Sequence, residues 1–453
     1  MIKKYMKLHF YGAVRGVTGS CYLLENNNDK LLIDCGAYQG KDSGQNNQEF
    51  LFNPEEIKAV VLTHAHFDHS GRLPLLVKKG FHGKIFTTAP TRDLTALILE
   101  DSARILADEA EKNNEKPLFS VDDVEKAISL IETVDYNVPF SPIQDSSVIF
   151  LNAGHILGSA MVKITIDNKN LFFSGDVGNC GNPILADPDP IPTDVNYVIC
   201  ESTYGNREHE LIEERSAKLK RAVKEIIGRG GTLIIPSFSI ERTQELLYEI
   251  DNLVDNDLIP DIPVYLDSPL AIKATAVYKK YINFLRFDRD VLNSPDRDFF
   301  NFPRLRLTLT VDESKKINSY SAAKIIIAGS GMMTGGRILH HLRRYLPSEK
   351  NGLLIIGYQA EGTLGREIFN GAKTVKIFNE EIDVKASIMA IGAFSAHGDR
   401  KQLADWLRLI AVKCEKVFLT HGDLDVKNEF KDYLTKNIGG NYLIPHFQEY
   451  WDL

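Results

Sequence analysis

The chain of 453 residues is longer than a single typical core, which predicts two domains or one domain with a large insertion. Hydrophobic residues make up 43% and charged residues 25% of it, ordinary proportions for a globular protein in water. A net charge of −8 argues against a polyanionic partner, because proteins that bind phosphate normally carry a basic surface. A nucleic-acid substrate would therefore require a local basic groove.

Other classes of protein are excluded by what the sequence lacks. No run approaches the roughly 18 apolar residues of a membrane span, and the first residues, "MIKKYMKLHFYGAV", do not resemble a signal peptide. The five cysteines include no C-x-x-C spacing, so neither a disulfide framework nor a structural zinc ribbon is expected. We expect a cytoplasmic protein with no membrane partner.

The first two hundred residues alternate short strands with helices, which is typical of a layered α/β fold. Helices are predicted at about 91–113 and 121–133, and Ser120 with Asp123 resembles a capping box at the start of the second. The predicted strands are rich in β-branched and aromatic residues: "LLID" (31–34), "AVVLTH" (59–64), "KIFTT" (84–88), "MVKITI" (161–166) and "NLFFSGD" (170–176).

From about residue 206 the alternation becomes regular and predicts a parallel α/β subdomain. Helices are predicted from about Glu214 to Ile227 and near 240–253, 270–284 and 336–345, with the strands "TLIIPSF", "VYLD", "KIIIAG" and "LLIIGY" between them. The polar segment 286–312 is predicted to be a long surface excursion. The last sixty residues return to strand–helix units.

The segment "VVLTHAHFDHSG" (60–71) places three histidines and an aspartate within six positions, although the whole chain has only 12 histidines. Alternate residues of an extended segment point the same way, so His64 and His66 can converge on one metal ion. Asp68 and His69, past the turn, can reach a second ion. Catalytic zinc sites use such ligands and leave one position open for water.

Further ligand candidates follow other predicted strands. His155 lies in "AGHILGS", Asp176 ends an apolar strand and could bridge two ions, and His421 lies in "FLTHGD". Asp34 in "LLIDCG" could orient a ligand. Each residue by itself is also explained as an ordinary loop histidine or turn aspartate. Together with the 64–69 cluster they predict a metal site.

These residues resemble the metallo-β-lactamase superfamily, through Asp34, "HAHFDHSG", His155 and Asp176 in that order. Within it the chain is similar to the β-CASP nucleases, since "CESTYGNREH" matches their acidic motif at Glu201, "FSAHGD" their second motif at His397, and "FLTHGD" their third at His421. "PSFSIERTQELL", "GSGMMTGGRILHHL" and "GYQAEGTLGR" also resemble the inserted domain of that group. The chain looks like the compact prokaryotic form of these nucleases, similar in its core to the endonuclease subunit of the cleavage and polyadenylation machinery.

The resemblance implies an αββα sandwich (1–205 and 390–453) interrupted by a parallel-sheet α/β β-CASP domain (206–389). It implies that two Zn²⁺ ions are held, the first by His64, His66 and His155, the second by Asp68, His69 and His421, with Asp176 between them. A histidine at the third motif is more typical of members that act on RNA than of those that act on DNA. Members of the family are often dimeric, so a homodimer is one possible assembly.

The predicted function is a metal-dependent hydrolase of single-stranded RNA, a ribonuclease with endonucleolytic and also possible exonucleolytic action. A hydroxide activated by two zinc ions would attack the phosphodiester, oriented by Asp68 and Asp176. His397 lies outside the ligand set and is free to protonate the leaving oxygen, with Glu201 fixing its tautomer.

Candidates for phosphate binding lie in the predicted inserted domain. Ser330 and Gly331 belong to a glycine-rich turn that leads into a helix, and backbone N–H groups in such turns suit an anion. Arg337 and Arg366 could add positive charge.

Three alternatives stay open at this point. A hydrolase of a small ester, thioester or lactam is favoured by the negative net charge but opposed by the 184-residue insertion. A binding subunit without turnover is opposed by Glu201 and His397, which zinc binding alone does not need. A DNA nuclease is disfavoured by His421.

Overall fold

The computed structural model describes residues 6–286 and 298–453, and the chain divides into two compact units. Unit 1 comprises Met1–Cys180, Leu185–Glu208 and His397–Leu453, and unit 2 comprises Gly181–Ile184 and His209–Ala396. The limits predicted for the inserted domain, 206–389, lie within seven residues of the limits of the long segment of unit 2.

Unit 1 contains a first sheet of seven strands in the order β21-β1-β2-β3-β4-β5-β6. Strands β1 to β3 and β21 pair antiparallel, whereas β3 to β6 pair in parallel. The strands are β1 (Met6–Phe10), β2 (Tyr22–Asn26), β3 (Asp29–Ile33), β4 (Ile57–Val61), β5 (Lys84–Thr87), β6 (Ile131–Thr133) and β21 (Tyr450–Asp452).

The second sheet of unit 1 has the order β20-β19-β10-β9-β8-β7. Strands β7 to β9 pair antiparallel, and β9, β10, β19 and β20 pair in parallel. The strands are β7 (Ser146–Asn152), β8 (Ala160–Ile166), β9 (Lys169–Phe173), β10 (Tyr197–Cys200), β19 (Lys416–Leu419) and β20 (Tyr442–Leu443).

A hydrophobic core lies between these two sheets. Alternate residues of β1 and β7 are buried in this core, among them Phe10 and Phe150, together with Phe418 of β19. Burial of each such side chain stabilises the fold by roughly 1.5–3 kcal/mol. Helices pack on the outer face of each sheet and form two further hydrophobic cores with it, which completes the αββα sandwich. The helices are α1 (Phe67–Ser70), α2 (Leu73–Lys78), α3 (Ala89–Asn113), α4 (Val121–Ser129), α11 (Arg400–Leu407) and α12 (Leu424–Asn437), with 3-10 helices at Gly40–Asn47 and Pro54–Glu56.

Unit 2 is built around a sheet of six parallel strands in the order β13-β12-β14-β11-β15-β18, beside a small hairpin of β16 and β17. The strands are β11 (Thr232–Pro236), β12 (Val264–Leu266), β13 (Leu305–Leu307), β14 (Lys324–Ala328), β15 (Gly352–Ile355), β16 (Thr374–Ile377), β17 (Glu380–Asp383) and β18 (Ser387–Ala390). The buried strands β11 and β14 are apolar on both faces, as a covered parallel sheet requires.

The helices of unit 2 alternate with these strands. Their bounds are α5 (Glu213–Gly228), α6 (Arg242–Asp255), α7 (Pro269–Lys280), α8 (Val311–Ile317), α9 (Ile338–Tyr345) and α10 (Leu364–Phe369), with 3-10 helices at Ile282–Phe284 and Gly392–Phe394. On α5 the apolar residues Leu219, Val223, Ile226 and Ile227 are buried, and Lys218 pairs with Glu214 at 2.8 Å. The predicted α/β class of fold is therefore confirmed.

Two element predictions were wrong in part. The helix predicted at 121–133 ends at Ser129, because Ile131–Thr133 pairs with β5 as an edge strand; its capping box at Ser120 is confirmed. The surface excursion predicted at 286–312 contains β13, which pairs with β12, while its residues 287–297 lie outside the described part of the chain. No helix among the described residues is long and apolar enough to cross a bilayer.

Candidate metal centre

The ends of the parallel strands of unit 1 position the candidate ligands. Because parallel strands end at the same edge of a sheet, side chains that follow β3 and β4 come together, and so do those that follow β9, β10 and β19. The residues at these ends are Asp34 after β3, His64 and His66 after β4, Asp176 after β9, Glu201 after β10, and His421 after β19. His155 lies between β7 and β8, and Asp68 and His69 lie in α1.

Three histidines form a first cluster. His64 Nε2 lies 3.2 Å from His66 Nδ1, and His155 Nε2 lies 3.1 Å from the same His66 nitrogen. His64 and His155 are fully buried, and His66 is half-buried. Three ring nitrogens thus converge on a space of the size of one ion.

A second cluster lies beside it. His69 Nε2 is 3.1 Å from His421 Nε2, and the latter nitrogen is 3.5 Å from Asp68 Oδ2. The Asp68 side chain is 16% exposed, so this cluster borders the surface while both histidines are buried.

Asp176 stands between the two clusters and directs one oxygen to each. Its Oδ2 lies 3.4 Å from His64 Nε2 and 3.5 Å from His155 Nε2. Its Oδ1 lies 3.3 Å from His69 Nε2 and 3.6 Å from His421 Nε2. A carboxylate in this position can contribute a ligand to both clusters at once.

The donor set fits divalent cations. Burial, and the neighbouring His69, lower the pKa of His64 to about 3, and burial lowers the pKa of His66 to about 4, so both rings keep a free lone pair at neutral pH. Asp176 Oδ1 is buried and has no hydrogen-bond partner among the described residues. A buried carboxylate oxygen without a hydrogen-bond partner, amid converging imidazole nitrogens, is explained by a bound metal ion.

Asp34 orients His69 from behind. Its Oδ2 lies 2.7 Å from His69 Nδ1, while Oδ1 accepts a hydrogen bond from the backbone N–H of Thr63 at 2.8 Å. Burial alone would lower the pKa of His69, but the carboxylates of Asp176 and Asp34 raise it well above its usual value. The backbones of Asp34 and His421 are both left-handed, with φ of +58° and +49°, a conformation that residues other than glycine adopt at special sites.

His397 and Glu201 form a pair at the edge of the first cluster. His397 Nδ1 lies 3.1 Å from Glu201 Oε1, and its ring centroid is 4.5 Å from that of His155. Burial would lower the pKa of His397, but the Glu201 carboxylate outweighs it and raises the pKa to about 9. The His397 side chain is 19% exposed, so a protonated ring at neutral pH is accessible from outside.

Three polar residues that the sequence analysis did not single out support this centre. Thr63 Oγ1 donates to Asp34 Oδ2 at 2.9 Å and lies 3.0 Å from His64 Nδ1. Thr203 Oγ1 lies 3.2 Å from His421 Nδ1, and Ser174 Oγ accepts from the Glu201 backbone N–H. Thr63 adjoins the histidine cluster in sequence and Thr203 lies in "CESTYG", but only the three-dimensional structure reveals their contacts.

The four predicted phosphate-binding residues all lie in unit 2. Ser330 Oγ accepts from the backbone N–H groups of Thr334 and Gly335, so it stabilises its own turn, in which Gly331 is buried. Arg366 is half-buried, with its guanidinium 5.9 Å from the Tyr358 ring centroid.

Arg337 differs from these, because its guanidinium is already engaged. It donates to Asp267 Oδ1 at 2.7 Å and to the carbonyl oxygens of Thr308 and Leu309. We therefore revise the expectation for Arg337: its observed contacts give it a structural role in unit 2, and we do not keep it as a phosphate ligand.

Comparison with known families finds three matching domains along the chain. Residues 14–128 match the metallo-beta-lactamase superfamily, residues 243–368 the Beta-Casp domain, and residues 381–445 the Zn-dependent metallo-hydrolase RNA specificity domain. A crystal structure of a protein of unknown function from Enterococcus faecalis superposes with a TM-score of 0.60 over 99% of this chain and all of that one. At 12% sequence identity, that likeness concerns the fold alone.

Several curated proteins are similar over most of the chain. Ribonuclease TTHA0252 of Thermus thermophilus is 35% identical, over 92% of this chain and 93% of its own length. An RNase J-like protein of Methanocaldococcus jannaschii is 33% identical over 92% of both chains, and the transcription termination factor FttA of Methanothermobacter thermautotrophicus is 34% identical over 92% of this chain and 67% of its own. With its metal-binding clusters, its inserted parallel-sheet unit and these relatives, the chain belongs to the β-CASP family of the metallo-β-lactamase superfamily.

Proposed function

We propose that the protein is a metal-dependent ribonuclease that hydrolyses phosphodiester bonds of single-stranded RNA with two zinc ions. The first ion would be held by His64, His66 and His155, and the second by Asp68, His69 and His421. Asp176, with one oxygen directed to each cluster, is the observation that carries the proposal for two ions. Imidazole and carboxylate ligands favour zinc over manganese or iron.

The chemistry needs an activated water and a protonated leaving group. Divalent ions held in the two clusters would supply Lewis acidity, which lowers the pKa of water and stabilises charge on phosphoryl oxygens. Asp68 and Asp176 would accept hydrogen bonds from the attacking water and so orient it. His397, protonated at neutral pH because of Glu201, would donate its proton to the leaving oxygen of the RNA.

RNA as the substrate is supported by the relatives named as ribonucleases and by the match to an RNA specificity domain over residues 381–445. In unit 2, Arg366 and the turn at Ser330 and Gly331 are proposed to bind RNA phosphates. A cytoplasmic location and a homodimer stay predictions from the sequence.

The proposal is tested by incubating the purified full-length protein with uniformly labelled single-stranded RNA. His397→Ala and a chelator-treated sample run beside the wild type, and His82→Ala, which removes an exposed histidine of unit 1, is the matched control. General acid catalysis contributes about 10²–10⁴-fold, so we expect His397→Ala to lower the cleavage rate by that factor and His82→Ala to leave it unchanged.

The products separate the remaining alternatives. Discrete internal fragments that disappear with chelator and with His397→Ala establish a metal-dependent endoribonuclease, whereas a ladder of mononucleotides indicates an exonuclease at the same centre. Intact RNA in every lane, together with hydrolysis of single-stranded DNA or of a small thioester, would refute RNA as the substrate.

A further inference from the structure

Residues 12–19, "GAVRGVTG", connect β1 to β2 in unit 1, and the proposed chemistry gives them no role. The ends of this loop meet where the Tyr11 N–H donates to the Cys21 carbonyl at 3.0 Å. A Cβ added to Gly12 would lie 1.7 Å from the Gly19 carbonyl oxygen, so only glycine permits this closure. The loop is therefore a compact closed turn.

The backbone N–H groups of this loop are a second distinctive feature. Within the described part of the chain, none of residues 12–19 donates its N–H to a protein acceptor. Two of its carbonyl groups, in contrast, accept hydrogen bonds: that of Ala13 from the backbone N–H of His421 at 2.6 Å, and that of Val14 from Lys427 Nζ. Residues 12–14 and 19 are buried, where unpaired N–H groups are costly, so a row of such groups is a ready site for an anion.

Arg15 projects from the same loop and is exposed. Its guanidinium carbon lies 4.3 Å from the centroid of the Phe447 ring. Among the seven arginines of unit 1, it alone makes neither a hydrogen bond nor an ion pair with another described residue. A guanidinium stacked on an aromatic ring keeps its N–H edge available for a phosphate.

The loop and Arg15 line a small surface pocket. The pocket is also lined by Tyr38, Gln45 and Phe447 and by one carboxylate, Asp42, whose Oδ1 accepts from Gln45 Nε2 at 3.0 Å. A second carboxylate, Asp423, lies near Gly16: its Oδ1 would be 3.5 Å from a Cβ added at that glycine. The pocket thus combines backbone donors, the Arg15 guanidinium and an aromatic ring, a composition that suits a single phosphate group.

The loop is in direct contact with the second metal cluster. His421 donates to the Ala13 carbonyl, and the Ser20 N–H, immediately after the loop, donates to the Asp68 carbonyl at 2.8 Å. We propose that Arg15 and the loop 12–19 bind one phosphate group of the RNA strand next to the Asp68–His69–His421 cluster. This inference rests on the proposed function, because it assigns a contact for the RNA substrate.

The experiment measures RNA binding by the full-length His397→Ala protein, which avoids cleavage during titration. Anisotropy of a short unstructured RNA is recorded over a series of KCl concentrations, with and without Arg15→Gln. Each phosphate contact to a single strand adds about 0.7 to the slope of log K against log salt, so Arg15→Gln should reduce the slope by about 0.7 and the affinity roughly three- to tenfold. Arg15→Lys should keep the slope and lose affinity, because lysine lacks the planar edge.

The matched control is Arg408→Gln, an exposed arginine of unit 1 that pairs, among the described residues, with Asp405 three positions earlier. It should leave slope and affinity unchanged. RNAs with a 5′-hydroxyl and a 5′-phosphate distinguish an internal phosphodiester, for which Arg15→Gln weakens both equally, from a terminal phosphate, for which only the phosphorylated RNA is affected.

The two proposals fail in different ways. If the wild type cleaves RNA but Arg15→Gln retains the slope and affinity of its parent, the phosphate site is refuted and the nuclease stands. If the wild type neither cuts nor binds RNA, the nuclease itself is refuted.

Discussion

Glu201 acts on His397 through both position and charge. Its two oxygens lie 3.1 and 3.2 Å from His397 Nδ1, and the backbone N–H groups of Val177 and Thr203 hold the carboxylate in place. At 1% exposure the carboxylate is shielded from water, so its charge acts strongly on the imidazole. Glu201 is therefore a positioning residue for the proposed acid.

We expect Glu201→Gln to lower kcat for RNA cleavage by about 10–100-fold, because His397 loses the charge that keeps it protonated. Single-turnover cleavage measures the rate, and atomic emission measures bound metal, which should not change. Glu208→Gln removes an exposed carboxylate of unit 1 and serves as the control. Loss of metal along with activity would show that Glu201 acts as a ligand and not through His397.

Lys427 is a second residue whose burial has a measurable consequence. It is fully buried on α12, and its Nζ donates to the Val14 carbonyl. Burial lowers its pKa from 10.5 to about 8, although Asp423 opposes the shift. In the unfolded chain this lysine binds its proton more tightly than in the folded chain.

Stability should therefore rise with pH between about 8 and 10.5, where the unfolded state binds more protons, and the penalty for the buried charge is complete below pH 8. The expected contribution approaches about 1.4 kcal/mol per pH unit within that window. Urea unfolding of wild type and Lys427→Met at several pH values measures it as the difference between the two. Parallel curves for the two proteins would contradict the lowered pKa.

At the scale of elements, α5 and α6 of unit 2 are joined by buried charge. Arg215 on α5 pairs through Nη1 with Glu245 and through Nη2 with Glu249 at 2.7 Å, both on α6. Burial, and the neighbouring Glu241, raise the pKa of Glu245 well above its usual value. The helix pair therefore depends on the arginine, whose hydrogen bonds offset the cost of burying two acidic side chains.

Arg215→Met should destabilise unit 2 by about 3–5 kcal/mol, because it leaves the buried Glu249 without its arginine, while Glu245 keeps its contact with Arg242 at 3.3 Å. Hydrogen exchange of peptides from α5 and α6 measures the loss of protection. Arg221→Met changes an exposed arginine of the same helix and should cost less than about 0.5 kcal/mol. Equal protection in both variants would mean that packing alone holds the helices together.

At the scale of the whole molecule, the metal clusters join distant parts of the chain. Asp176 is close to histidines at positions 64, 69, 155 and 421, so bound ions would link both sheets of unit 1. Ions that bind only the folded state stabilise it by about 2.7 kcal/mol at one hundred times their dissociation constant.

We expect removal of metal by a chelator to reduce hydrogen-exchange protection at these strand ends in unit 1, and zinc to restore it. Atomic emission of the reloaded protein should give two ions per chain. Asp176→Asn should retain fewer, because it removes the negative charge shared by both clusters. Full occupancy by a single ion in the wild type would refute the proposed pair of sites.

The sequence by itself determined the layered α/β fold, since hydrophobic periodicity and turn residues act locally. It also indicated the compact motif from His64 to His69, because residues adjacent on one strand end must be adjacent in space. It did not reveal that Ile131–Thr133 forms an edge strand, because three residues at the end of a helix carry no periodic signal until β5 offers a partner.

Only the tertiary structure decided which distant residues meet. His421 reaches His69 because β19 pairs with β10 in the second sheet, and the two oxygens of Asp176 face different clusters because of how the two sheets pack. It also decided that Arg337 binds Asp267 and that Arg15 keeps an available guanidinium. The sequence alone does not distinguish these two arginines, since a side chain's partner depends on long-range packing that no local pattern encodes.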